Sequence, residues 1–506
     1  MLITLDPSQH KPLYVQIRDQ IRQRIASGAI KVGERLEPSR ELAKRLGVHR
    51  TTIANAYAEL EAEGLIEGTV GRGTFISPLA ATLRPSERIR RRAANDFLWD
   101  GLFTQPQEDD SLGRLMASAL DPAVISFAAT HGPPDLGPAD LVRRATEAVF
   151  RREGGKLLMY GSSDGYPPLK RYLQGRLRRD GIPVELDEIL IASGCQQSLD
   201  LIRRALIAPG EAVAIENPTY TGLWNVFSMP GVRRIGIPVG ADGMDLDVLE
   251  AALDQNKVKL IFASPNFHNP TGRSMPLAGR KRLLELAGRF QVPVVEDDIY
   301  GNLRYRGREF PPLKALDTAG LVIYVNSFSK VGFSGLRVGW IVAPARVIER
   351  LRPVKQLADL HTNILGQAIL EELGRRGWLD KWVRQARKVF ERKLELLRQA
   401  VGRHFPPEAH INYPEGGMAV WVELPAGLDA SELLVKAHDR GVVFAPARYF
   451  YFQTPRHNAF RLCFTSVTDE QLEKGVSILG ALLREEVGKV KAPGKEPPVG
   501  AGVALV

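Results

Sequence analysis

The sequence predicts a multidomain chain, with a small helical unit at the front and a large α/β domain behind it. Three observations carry this. The chain has 506 residues, more than a single core usually serves. Residues 1–78 read as short helices followed by a glycine-punctuated hairpin. Residues 121–485 alternate short apolar strands with amphipathic helices, the pattern of a mainly parallel sheet. The composition, 44% hydrophobic and 25% charged, is that of a globular protein rather than a fibrous or disordered one. No apolar run reaches the ~18 residues of a membrane span. The first residues lack the charged-then-apolar layout of a secretion signal. Two cysteines, Cys195 and Cys463, imply no disulfide framework. The expectation is a cytoplasmic protein with no membrane partner. A net charge of +10 permits a nucleic-acid partner, and the motifs must decide.

In the first unit, Val15, Ile17, Ile21, Ile25 and Ile30 recur at roughly helical spacing, and Gly28 and Gly33 end the segment. Ser39 is the expected N-cap of a second helix, whose inward face is Leu42, Ala43 and Leu46 and which stops at Gly47. A third helix turns Ile53, Tyr57 and Leu60 inward. Two short strands joined by Gly71, Arg72 and Gly73 complete a winged helix-turn-helix. In that motif the first turn of the recognition helix faces base edges in the major groove. Here that turn carries Arg50, Thr51 and Thr52, while Arg40 and Arg72 stand where they can grip the backbone and an adjacent minor groove. Glu59, Glu61 and Glu63 fall at the far end of the helix. The unit holds eleven Lys/Arg against nine Asp/Glu, so the placement of charge, not its sum, favours double-stranded DNA over a protein-binding role.

The segments PLYVQI, LEPSRELAKRLGV, TTIANAYAELEAEGLIE and GRGTFIS together resemble the winged-helix domain of the GntR family of bacterial transcription regulators, over about residues 10–77. Arg40, His49, Arg50, Thr51, Thr52, Arg72 and Gly73 are the DNA-binding candidates this implies. His49 stands where that family usually has a capping Ser, which weakens the expected cap by ~1 kcal/mol. The imidazole is expected either against a phosphate or in solvent.

Residues 79–120 read as a linker with charge runs and a basic cluster at Arg88, Arg90, Arg91 and Arg92. Residues 486–506, rich in Gly, Pro and Lys, read as a disordered tail. Between them, strands are expected at Glu188–Ala192, Ala212–Glu216, Lys259–Ala263, Val292–Glu296, Leu321–Asn326 and Val338–Val342.

Chemistry-bearing residues gather at the ends of these strands. SFSK places Lys330 just after one of them, with Ser327 three residues before and Arg337 seven after. A lysine that can lose its proton makes imines with carbonyls, and a guanidinium and a hydroxyl can bind a phosphate. VVEDDIY ends another strand at Asp297, a carboxylate able to pair with a pyridinium nitrogen. Tyr300 and Asn269 can donate to a ring phenolate. In ASGCQQSLDLI a strand gives way to a helix, whose free N–H groups at Gly194, Cys195 and Gln196 can cradle a phosphate.

This ordered set resembles the fold-type I pyridoxal-phosphate enzymes of the aspartate aminotransferase superfamily, over about residues 121–485. The resemblance implies a large mainly parallel sheet domain, a smaller α+β domain, and pyridoxal 5′-phosphate held as an imine on Lys330. It further implies that Tyr220 stacks on the cofactor ring, that Tyr160 reaches the phosphate of a neighbouring subunit in a homodimer, and that Arg461, with Asn269, binds a substrate carboxylate. Cys195 occupies a phosphate-turn position where such proteins usually have Ser, Thr or a variable residue; it is expected to pack, as is Cys463. A winged helix followed by such a domain is the layout of the MocR subgroup of GntR regulators. That layout implies a regulator of promoter DNA sensing an amino compound or the cofactor itself. A working aminotransferase with an accessory DNA-binding head is the alternative.

Overall fold

The computed structural model describes residues 3–5, 11–26, 29–69, 73–77, 121, 123–132, 137–228 and 231–491. The chain divides into two units between Asp109 and Asp110, inside the expected linker. The linker, Arg72 and residues 492–506 lie outside the described residues.

In the first unit, α1 (Leu13–Ala26), α2 (Ser39–Leu46) and α3 (Arg50–Ala62) precede a hairpin of β1 (Ile66–Thr69) and β2 (Gly73–Ile76). Ile17, Ile21, Leu42, Ile53 and Leu60 are fully buried in one cluster, as helical spacing requires. Val15 is only half-buried. Ser39 does not cap α2: it is the first helical residue, and Pro38 precedes it with no side-chain cap. Gly47, at φ 66, ends α2 in the left-handed conformation that a side chain would resist.

The second unit is built on an eight-stranded sheet. Its strands are β4 (Ile189–Ala192), β5 (Ala212–Asn217), β6 (Arg233–Gly240), β7 (Gly243–Met244), β8 (Val258–Ala263), β9 (Val294–Asp297), β10 (Val322–Ser327) and β11 (Gly339–Val342). Their order is β4-β11-β10-β9-β8-β5-β6-β7. All six strands expected from sequence are present, shifted by at most two residues at either end. Within this mainly parallel sheet β11 runs antiparallel to both β10 and β4. Residues in β4, β5, β10 and β11 are buried on both faces, hence the continuous apolar runs, whereas β6 near the sheet edge is mostly half-exposed. In β4, Leu190 packs into one hydrophobic cluster while Ile189 and Ile191 pack into another, the two-residue alternation of a strand.

A smaller antiparallel sheet orders β12 (His410–Asn412), β13 (Ala419–Glu423), β16 (Ala459–Cys463) and β15 (Ala445–Pro446), and β3 (Ile125–Ser126) pairs in parallel with β14 (Val442–Val443). The helix Trp378–His404 ties the two lobes together. Its first half, including Trp382 and Phe390, enters the large lobe's core, and its second half, including Leu394 and Leu397, enters the small lobe's. The last helix, Asp469–Lys491, carries its final six residues, 486–491, into the expected tail. No helix among the described residues is long and apolar enough to cross a membrane.

Candidate cofactor and DNA-binding sites

In open α/β sheets, ligands sit beyond the carboxyl ends of the parallel strands. A cavity of about 180 Å³ lies there, lined by Thr130, Cys195, Gln196, Tyr220, Ser264, Asn269, Asp297, Ile299, Tyr300, Ser329, Lys330, Ser334 and Arg337. Eight of the sequence candidates therefore meet in one place. They come from the ends of β4, β5, β8, β9 and β10, each delivering its loop to the same rim.

One group suits a phosphate. The helix Cys195–Leu206 starts after Gly194, whose φ of 97 belongs to glycine, and no side chain caps it. Its first-turn N–H groups have no partners within the helix. Arg337, itself left-handed at φ 53, returns its guanidinium to donate to the Ser193 carbonyl at 2.9 Å. A Cβ at Gly194 would lie 2.8 Å from Arg337 Nη2, so the close approach of guanidinium and helix start depends on that glycine. Cys195 is buried and burial pushes its thiol well up, which fits a packing role rather than a nucleophile.

A second group suits a pyridine ring. Asp297 faces the cavity, its carboxyl accepting from Ile299 N–H at 3.2 Å and pushed up to about 6, chiefly by burial. A cationic ring nitrogen would supply the partner that burial has left wanting. Tyr300 is buried and its phenol is pushed up to about 12, so it stays a donor. Lys330 Nζ donates to Thr130 O and to Thr130 Oγ1, both at 2.9 Å. Burial first, then the charge of Arg461, brings its amine down to about 8, near where a lysine can act as nucleophile or base. These features fit pyridoxal 5′-phosphate.

Arg461, on β16, is buried and donates from Nη1 to Asn269 Oδ1 at 2.7 Å and from Nη2 to Ala128 O. Its guanidinium lies 4.9 Å from the Phe450 ring centroid. Among the described residues it has no carboxylate partner, and its buried Nε has no hydrogen bond. Its charge is thus available to a ligand's carboxylate.

Two candidates fall elsewhere. Ser327 does not line the cavity. Its hydroxyl donates to Val338 O at 3.1 Å and accepts from Ser329 N at 3.0 Å, bracing the turn that holds Lys330. Ser329 lines the cavity instead. Tyr160 is 84% exposed, edge-on to His361, and forms no part of this chain's cavity. Sequence reasoning missed Thr130, Ser264, Ile299, Ser329 and Ser334. The position of Ser264, directly after β8, was the one available signal.

On the other unit, Arg40, Arg50 and Thr51 are exposed and Thr52 is half-buried. The imidazole of His49 does cap α3: Nδ1 accepts from Thr51 N–H at 3.4 Å and lies 2.8 Å from Thr51 Oγ1. Arg18 pairs with Glu59, Arg22 with Glu63, and Arg45 with Glu37. Among the described residues Arg40 and Arg50 have no acidic partner. Gly73 opens β2 at φ 113, its Cα side facing the Arg35 guanidinium.

Residues 130–479 match the family described as aminotransferase class I and II, and residues 13–76 match the bacterial regulatory proteins of the gntR family. The HTH-type transcriptional regulator YdfD of Bacillus subtilis is 30% identical, over 94% of this chain and 97% of its own. The probable rhizopine catabolism regulatory protein MocR of Rhizobium meliloti is 28% identical, over 94% and 95%. Among solved structures, LysN, an α-aminoadipate aminotransferase from Thermus thermophilus in complex with N-(5′-phosphopyridoxyl)-L-leucine, aligns with a TM-score of 0.71 and 34% identity, covering 78% of this chain and all of that one. Fold and site together define a fold-type I aminotransferase domain whose cofactor is pyridoxal 5′-phosphate. The chain belongs to the aminotransferase class I and II family and, with its gntR-family head, to the MocR subgroup of GntR regulators.

Proposed function

We propose that the protein is a homodimeric, pyridoxal-phosphate-dependent transcription regulator in which an amino compound, or the cofactor itself, changes how the winged helices hold promoter DNA. One observation carries the ligand half: Arg461 is a buried guanidinium surrounded by neutral oxygens, 2.7 Å from Asn269 and within electrostatic reach of Lys330. An amine presented to Lys330 can place a carboxylate on Arg461 and leave no charge unpaired. The cofactor, when bound, supplies a carbonyl and an electron-withdrawing ring. Lys330 would hold that carbonyl, Asp297 would keep the ring nitrogen protonated, Tyr300 and Asn269 would donate to the ring oxygen, and Tyr220 would lie against the ring. The helix start at Cys195, with Ser329 and Arg337, would bind the phosphate.

The DNA half rests on charge placement. Arg40 and Arg50 are left unpaired while Arg18, Arg22 and Arg45 are neutralised, so positive charge is concentrated near the start of α3. The exposed run Leu158, Met159 and Tyr160 supports a dimer. Cofactor-loaded protein is expected to show a visible absorbance that Lys330→Ala abolishes, and to shift DNA from its own promoter region. Absence of promoter binding with the absorbance intact would reject the regulator reading.

The completeness of the site supports a second reading, a working aminotransferase. Lys330, with its amine near 8, would then also carry the proton off the substrate α-carbon. Multiple turnover with amino acids and α-ketoglutarate, at roughly 1 s⁻¹ or faster, selects the enzyme. A single half-reaction selects the sensor.

A further inference from the structure

A second cleft, of about 620 Å³, lies between the two lobes and is separate from the cofactor cavity. Its charged lining residues are Arg273, Arg456 and Glu423, and its flat walls are Trp421 and Tyr451. Arg273 is half-buried and Arg456 exposed. Among the described residues, none of the three charged side chains has a hydrogen bond or an ion pair, in a domain where most of the Arg and Glu side chains are paired. Unpaired guanidiniums around a concave, aromatic-walled space are the chemistry of an anion site.

The walls of this cleft continue into the cofactor site. Pro218 and Thr271 line the cleft, and two residues from each stand Tyr220 and Asn269, which line the cofactor cavity. Trp421 is paired in register with Arg461 across β13 and β16. Three segments therefore present one residue to the cleft and another to the ligand-binding machinery. Occupancy of the cleft also joins the large sheet, through Gly236 on β6, to the small sheet, through Trp421 and Glu423 on β13. A ligand that prefers one spacing of the lobes shifts the population toward it, and Asn269 and Arg461 move with the segments that carry them.

We propose that this cleft is an effector site for a small acidic zwitterion, a compound bearing two carboxylates and one ammonium. Two guanidiniums and one carboxylate complement that charge set group for group. The aliphatic body lies against Trp421 and Tyr451.

The test is calorimetric titration of the full-length, cofactor-loaded protein with N-methyl-L-glutamate. This probe keeps all three charges, but its secondary amine cannot form a neutral imine with the cofactor carbonyl, and the Arg461→Ala variant separates any binding at the cofactor site from binding in the cleft. Saturable binding is expected, weakened about tenfold to a hundredfold by Arg273→Ala and by Glu423→Gln, and retained in Arg461→Ala. Both cleft variants should keep the cofactor absorbance, which separates loss of the site from loss of the fold. Glutarate, which lacks the ammonium, should bind more weakly than the probe and should gain rather than lose affinity in Glu423→Gln. No saturable binding, or binding lost in Arg461→Ala but kept in Arg273→Ala, overturns the proposal.

Discussion

Lys330 Nζ donates to both the carbonyl and the hydroxyl oxygen of Thr130, 200 residues earlier in the chain. The amine is thereby aimed while it waits, and neither oxygen carries a full charge that would hold its proton. Thr130→Val removes one acceptor and leaves the carbonyl. Its amine should be less well fixed, and cofactor loading, followed by visible absorbance during titration with pyridoxal 5′-phosphate, should weaken about fivefold to tenfold, corresponding to the ~1 kcal/mol of one hydrogen bond. Loading indistinguishable from the parent removes Thr130 from the account.

The two serines of SFSK separate by position. Ser329→Ala deletes a cavity-facing hydroxyl and is expected to weaken cofactor affinity with little effect on melting temperature. Ser327→Ala deletes the brace to Val338 O and is expected to lower the melting temperature, through a loss of stability on the order of 1 kcal/mol. The reverse ranking of the two variants would show that the assignment of the hydroxyls is mistaken.

Below the cavity, buried Glu216 has its carboxyl pushed up to about 8 by burial, beside His268, whose imidazole burial brings down to about 3. Both are neutral near pH 6, with His268 Nε2 3.5 Å from Glu216 Oε2. The carboxyl's folded value is raised above its unfolded one. Its contribution is therefore fully present below pH 4.5 and is lost as pH rises through about 8, at up to about 1.4 kcal/mol per pH unit for one proton. His268, lowered from an unfolded value of 6.5, contributes the opposite slope below that pH, so denaturant unfolding of the cofactor-free protein should show stability declining between about pH 6.5 and 8, and Glu216→Gln should flatten the decline. An unchanged slope in the variant would mean that the carboxyl titrates normally.

On the DNA-binding unit, Arg50→Ala and Arg40→Ala each remove a cation with no internal partner. Promoter affinity is expected to fall, and a removed phosphate contact lowers the slope of log affinity against log salt by about one. Arg18→Ala, which removes a cation already paired with Glu59, should leave that slope unchanged. Equal effects from all three would contradict the charge placement argued above.

His49→Ala should destabilise the unit by about 1 kcal/mol, whereas His49→Ser should match or exceed the parent. Thermal melting of the full chain, followed at the first transition, reads the difference. A neutral His49→Ala would remove the imidazole cap.

Six strands of the large sheet were legible because strands buried on both faces write continuous apolar runs into the sequence, whereas β6, β7 and the small sheet's short strands carry no such run. The cavity positions of Lys330, Asp297 and Asn269 were legible because each lies at or after the end of a recognisable strand. Thr130 was not, since its loop approaches Lys330 only after the chain has folded back. Ser327 was misplaced by proximity to Lys330: it is the last residue of β10 and pairs with Gly339 of β11, where its hydroxyl donates to Val338 O. His49 shows the same limit in miniature. A residue-type rule expected no strong cap, yet the extended backbone at φ −69, ψ 147 sets the imidazole nitrogen where a serine oxygen would be.

The central claim is that the state of the cofactor cavity is read by the DNA-binding head. Binding isotherms on a labelled fragment of the protein's own promoter region, for cofactor-loaded and cofactor-free chain and for Lys330→Ala with added pyridoxal 5′-phosphate, test it most directly. The account predicts that loading changes the affinity of the parent at least fivefold, the lower end of ordinary coupling energies, and leaves Lys330→Ala unmoved. Superimposable isotherms for loaded and cofactor-free parent would contradict it.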